Sequence, residues 1–74
     1  MIIIEVKKNK FVNINNVFKM DVLGKEGSDN VYWRFYANDD SFCSSREFSD
    51  AQEAHSSLSM QIARAQGSGE IISL

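Results

Sequence analysis

Seventy-four residues leave room for one domain with a modest core, and a 43% apolar share with 24% charged residues excludes global disorder. The formal net charge of −2 weighs against a general nucleic-acid binder, which draws most of its affinity from neutralising phosphates. Cys43 is the only cysteine, so an intrachain disulfide and a multi-cysteine metal site are both ruled out, and a reducing, cytoplasmic setting is expected.

The chain opens with Met1-Ile2-Ile3-Ile4, but Glu5 and the Lys7-Lys8 pair end this apolar run far short of a signal-peptide core or a membrane span. Its β-branched residues predict a first strand over Ile2 to Lys8. Asn9-Lys10 turns into a short second strand, Phe11 to Ile14, followed by Asn15-Asn16, a pair that tolerates turn geometry. Val17 to Leu23 alternates, with Phe18, Met20 and Val22 on one face and Val17, Lys19 and Asp21 on the other. Gly24 to Asn30 is a polar loop with two glycines.

Val31-Tyr32-Trp33-Arg34-Phe35-Tyr36 is an aromatic strand with a charge at its middle. Side chains alternate along a strand, so Trp33 and Phe35 point one way while Tyr32, Arg34 and Tyr36 point the other. Asn38-Asp39-Asp40 is a compact turn, and Ser41 to Arg46 is the returning strand. Three sequential strands with short links predict an antiparallel meander.

Ser49 opens a helix, with Gln52 at capping-box spacing and Asp50 and Glu53 near the positive end of the helix dipole. Ala51, Ala54, Leu58, Ile62 and Ala65 form a narrow apolar stripe, and Gly67 is the expected terminator. After a joint at Ser68-Gly69, residues Glu70 to Leu74 predict a last strand. It would pair with the first strand or with an edge in a second copy. No proline guards any edge strand.

Candidate chemistry is sparse. Cys43 and His55 are the only familiar nucleophile and base, yet a lone cysteine and a lone histidine carry no family signature. Asn38-Asp39-Asp40 lacks the spacing of a calcium loop and is explained by a turn. Gly24 and Gly27 lack the lysine and the strand–loop–helix setting of a phosphate-binding loop. Catalysis, a cofactor and a metal are therefore not expected. Tyr32, Arg34 and Tyr36 are the residues suited to meet a partner, because tyrosine and arginine dominate interface energetics. Lys7 and Lys19 join them if the register allows. Met60, facing away from the helical stripe, is a second, smaller patch.

The run Phe11-Val12-Asn13-Ile14-Asn15-Asn16-Val17, the aromatic strand, and Ser45-Arg46-Glu47-Phe48-Ser49 leading into a helix together resemble a group of short bacterial and phage proteins. The resemblance covers Phe11 to Ile62 and implies a β-meander followed by one helix. The group includes phage-encoded inhibitors that occupy a host protein's surface, which implies a role of that kind and assigns no functional residue.

The expectation is thus a single α+β domain over residues 1–74: a small antiparallel sheet of three to five strands with one helix packed on one face. Trp33, Phe35, Phe18, Met20, Val22, Leu58 and Ile62 are its expected core. Non-catalytic binding to another protein is the expected function, with self-association as a further expectation and no membrane contact. Single-stranded nucleic acid on the aromatic sheet face is the alternative.

Overall fold

In the computed structural model, which describes residues 2–74, six strands form two three-stranded sheets that share one helix. The elements are β1 (Ile3–Lys7), β2 (Lys10–Asn13), a 3-10 turn (Ile14–Asn16), β3 (Lys19–Gly24), β4 (Val31–Asn38), β5 (Ser41–Phe48), α1 (Ala51–Ser68) and β6 (Ile72–Ser73). One sheet has the order β2-β1-β6 and the other the order β3-β4-β5. The fold is α+β and mostly antiparallel, as the alternation of the segments implies. Two features differ from a single antiparallel sheet: the strands divide into two sheets, and β6 runs parallel to β1 of the same chain.

Local chemistry accounts for the short links. Asn9 takes a left-handed conformation (φ 62°) in the β1–β2 turn, which asparagine accepts more readily than most residues. Its N–H donates to Glu5 Oε2 at 3.0 Å. The two-residue β4–β5 turn is closed by the Asp40 N–H donating to Asn38 Oδ1 at 2.9 Å.

The helix starts one residue later than Ser49 would set it. Asp50 is the N-cap, its Oδ1 accepting the Glu53 N–H at 2.7 Å, and Glu53 reaches back to accept the Ser49 hydroxyl at 2.8 Å. Glu53 supplies a charge that Gln52 lacks, and an anion is favoured in the first helical turn. The end of α1 also lies beyond Gly67. Gly69 is the C-cap, at φ 71°, and its N–H donates to the Ala65 carbonyl at 2.9 Å.

These two glycines should respond oppositely to alanine. Gly69→Ala is expected to cost about 1 kcal/mol, because a Cβ is disfavoured at positive φ. Gly67→Ala, inside the helix with open space around the new methyl, should add about 0.5–1 kcal/mol. Urea midpoints of the two variants check this, and a matched shift in both would reject Gly69 as the stop.

The core lies where α1 packs against β1 and β6 of one sheet and β4 and β5 of the other. Ile4, Val6, Trp33, Phe35, Phe48, Ala54, Leu58 and Leu74 are its buried cluster. Trp33 joins sheet to helix directly, its indole N–H donating to the Ala54 carbonyl at 3.0 Å. Of the residues expected in the core, Trp33, Phe35 and Leu58 are buried, while Val22 and Ile62 are half-buried and pack against it. Phe18 and Met20 are corrections: they are 62% and 41% exposed. Met20 shares the core side of the sheet with Val22 and Phe18 lies one residue before β3, but β3 is an edge strand and is not among the strands that α1 chiefly packs against.

Candidate binding face

The side of the β3-β4-β5 sheet turned away from α1 is laid out by its register. Lys19, Tyr36 and Phe42 stand abreast in one row, Asp21, Arg34 and Ser44 in the next, and Leu23, Tyr32 and Glu47 in a third. The Arg34 guanidinium lies 4.2 Å from the Phe42 ring centroid and 5.9 Å from that of Tyr32, and its Nη2 donates to Tyr32 Oη at 3.3 Å. Its Nε is buried and makes no hydrogen bond among the described residues. The Lys19 ammonium sits 4.6 Å from the Tyr36 ring centroid, and Tyr36 tilts against Phe42 at 5.8 Å. Cations held over aromatic faces are pre-positioned, and each contact contributes about 0.5–1 kcal/mol where water has access. Tyr32, Arg34 and Tyr36 are therefore brought together on one face, each half-buried by its neighbours.

Phe42 completes this face, and the sequence reading did not include it. A two-residue turn alone would set Tyr36 opposite Cys43. Instead Ala37 is bulged out of β4, so Tyr36 pairs with Phe42 and Arg34 with Ser44. A second bulge, with Ser45 and Arg46 together opposing Trp33, restores the first register, so that Tyr32 pairs with Glu47 and Val31 with Phe48. Ser45 is buried because it repairs the ladder there. Its Oγ accepts the Trp33 N–H at 2.8 Å and donates to the Arg46 carbonyl at 2.7 Å. Only a bulge-prone pattern at Ala37 and Ser45 could have signalled this, and neither residue is diagnostic of one.

The third row ends in charge. Glu47 accepts from Lys25 Nζ at 2.6 Å and from Asn30 Nδ2 at 3.0 Å, so the loop between β3 and β4 is tied back to β5. The Lys25 and Asn30 contacts hold the Glu47 carboxyl below its ordinary pKa. That contribution is present above the unfolded-state value and is lost as pH falls through the lowered one. Lys7, from the other sheet, borders this end of the face and lines a shallow pocket of about 220 Å³ with Lys25, Tyr32 and Glu47.

At the opposite end, Tyr36 and Phe42 border a groove of about 300 Å³ that runs between the β4–β5 hairpin and β2. Its walls are mainly apolar, with Val12, Val17 and Phe35 inside and exposed Phe11 and Phe42 at the rim. Cys43 also lines it, half-buried, its thiol 3.9 Å from the Ser44 carbonyl. His55 stands edge-on to Trp33 at 5.2 Å, and no hydrogen bond joins it to Cys43 among the described residues. Met60 is 56% exposed on α1. The helix covers the other side of the sheet, so Met60 is not brought together with Tyr32, Arg34 and Tyr36.

Among the described residues no group of three His, Cys, Asp or Glu side chains is arranged to hold a metal ion, and no helix is long and apolar enough to cross a membrane. The meander β3-β4-β5 runs into a single helix, which is the architecture the resemblance implies. No family model, curated protein or solved structure matches the chain.

Proposed function

We propose that the chain is a small non-catalytic protein-binding module, an accessory or inhibitor protein of a phage or mobile element that acts by occupying a host protein's surface. The observation that carries this reading is Arg34, fixed over Phe42 and hydrogen-bonded to Tyr32 in the middle of an aromatic face. A partner carboxylate or carbonyl arriving there would meet a donor already oriented, flanked by the aromatic side chains that anchor interfaces. The adjoining groove accepts an apolar side chain beside that polar contact. Met60 on α1 is a separate and weaker patch.

Affinity capture from host lysate, followed by titration of the recovered protein, tests this. Arg34→Ala or Phe42→Ser is expected to weaken binding by about thirtyfold or more, the effect of losing one anchor residue. Met60→Ser should leave that affinity within about twofold, because isolated exposed contacts contribute little. Equal capture by the Arg34 variant and the native chain would remove the reading.

A second reading, single-stranded nucleic acid on the same face, draws support from Lys19 and Arg34 lying among three aromatic rings. Asp21 and Glu47 in the neighbouring rows oppose it by repelling phosphate. Binding of a labelled oligonucleotide that fades with salt and is lost in Arg34→Ala would favour nucleic acid over protein.

A further inference from the structure

β3 is paired on one side only, through an unbroken ladder with β4. No proline or bulge interrupts it, so its free edge presents an extended run of backbone donors and acceptors. Met20 is exposed beside half-buried Val22 on one face of this edge, with exposed Phe18 just before the strand, and Lys19 and Asp21 lie on the other face. Asp21 enters no ion pair among the described residues.

We propose that this edge is an interface with a second copy of the chain, in which two β3 strands pair antiparallel across a two-fold axis at Met20. The choice of copy and register rests on charge. Residues opposite one another in an antiparallel pair share a face, so a pairing that keeps apolar against apolar is centred on a residue. Centred on Lys19, the pairing sets lysine against lysine. Centred on Asp21, it sets aspartate against aspartate. Centred on Val22, it brings Lys19 against Lys25. Centred on Met20, each Lys19 faces an Asp21, each Phe18 faces a Val22, and the two Met20 side chains meet. That register alone satisfies both faces, and it uses the same five residues from each copy, as an isologous contact requires. The product is one six-stranded sheet carrying two Arg34 faces on the same side. This inference does not depend on the partner-binding reading: it uses the free edge of β3 with Lys19 and Asp21 at the margin of the outer face, and not Arg34, Tyr32 or Phe42.

Light scattering and sedimentation over a concentration series test it. The native chain should shift from monomer toward dimer mass as concentration rises. Lys19→Glu alone, or Asp21→Lys alone, makes two like-charge pairs and should raise the dissociation constant by about tenfold or more. The double variant Lys19→Glu/Asp21→Lys reverses both charges and should return it to within about threefold of the native value. In a Cys43→Ser background, Met20→Cys should be captured as a disulfide-linked dimer by a mild thiol oxidant, and Met60→Cys should not. Circular dichroism of each variant separates lost pairing from lost folding. A native monomer at every soluble concentration would overturn the proposal. So would single variants that dimerise as the native chain does, or a folded double variant that fails to recover.

Discussion

Trp33→Ala is expected to remove about 3–5 kcal/mol of stability, the range for emptying a large aromatic site in a core. A chain of this size has about 4–11 kcal/mol in total, so the variant should be barely folded. Three losses coincide at this position. The indole is 6% exposed, so its removal opens a cavity between sheet and helix. Its N–H no longer meets the Ala54 carbonyl, and the ring contacts to Phe35 at 6.1 Å and His55 at 5.2 Å disappear. Trp33→Phe keeps a ring and drops the indole hydrogen bond, so about 1–3 kcal/mol should be lost instead. Trp33 is the single tryptophan, so both variants need circular dichroism in urea as the readout. A Trp33→Ala midpoint close to the native one would mean that the two sides of β4 are reversed.

Deleting Ile72 to Leu74 is expected to cost about 3–6 kcal/mol, from two buried aliphatic side chains at about 1.5–3 kcal/mol each. This short strand closes the edge of β1, where Ile4 and Val6 are fully buried. Its backbone is fixed at both faces of the join. The Leu74 N–H donates to the Glu5 carbonyl at 2.8 Å, and Arg46 Nε donates to the Leu74 carbonyl at 2.7 Å. The Ser73 hydroxyl donates to Glu5 Oε1 at 2.7 Å, but Ser73 is exposed, so Ser73→Ala should cost under about 1 kcal/mol. Urea unfolding of the truncated chain and of Ser73→Ala separates burial from the surface hydrogen bond. A truncated chain as stable as the native one would make β6 a dispensable tail.

What could be read from the residues was mostly local. Alternation along β4 assigned Trp33 and Phe35 to the core and Tyr32, Arg34 and Tyr36 to the opposite face, because a period of two is built into any strand. The same alternation grouped Met20 with Val22 correctly, but it carried the strand on to Phe18, which lies before β3, and could not tell that β3 is an edge strand. A face pattern states which side chains travel together, not what covers them. The N-cap moved from Ser49 to Asp50 because two overlapping capping patterns compete there and only the second supplies a carboxylate at its third position. The parallel pairing of β6 with β1 joins Ile4 to Ile72, and no neighbour of either residue records so distant a partner. Phe42 entered the candidate face only through a shift in register that side-chain identity does not announce.

That shift has a guardian elsewhere. Were the two bulges to relax together, the hairpin would close flush, with Tyr36 opposite Cys43 and Trp33 opposite Arg46. Phe42 would leave the outer face, and a guanidinium would be driven into the apolar space beneath the helix. Burying an unpaired charge costs far more than two small ladder defects. In the observed register Arg46 is exposed, stacked at 4.2 Å from the Phe48 ring centroid and bonded to the Leu74 and Glu47 carbonyls. A residue outside the Arg34 face thus vetoes the slipped hairpin, and the identity of that face is policed from the far end of β5.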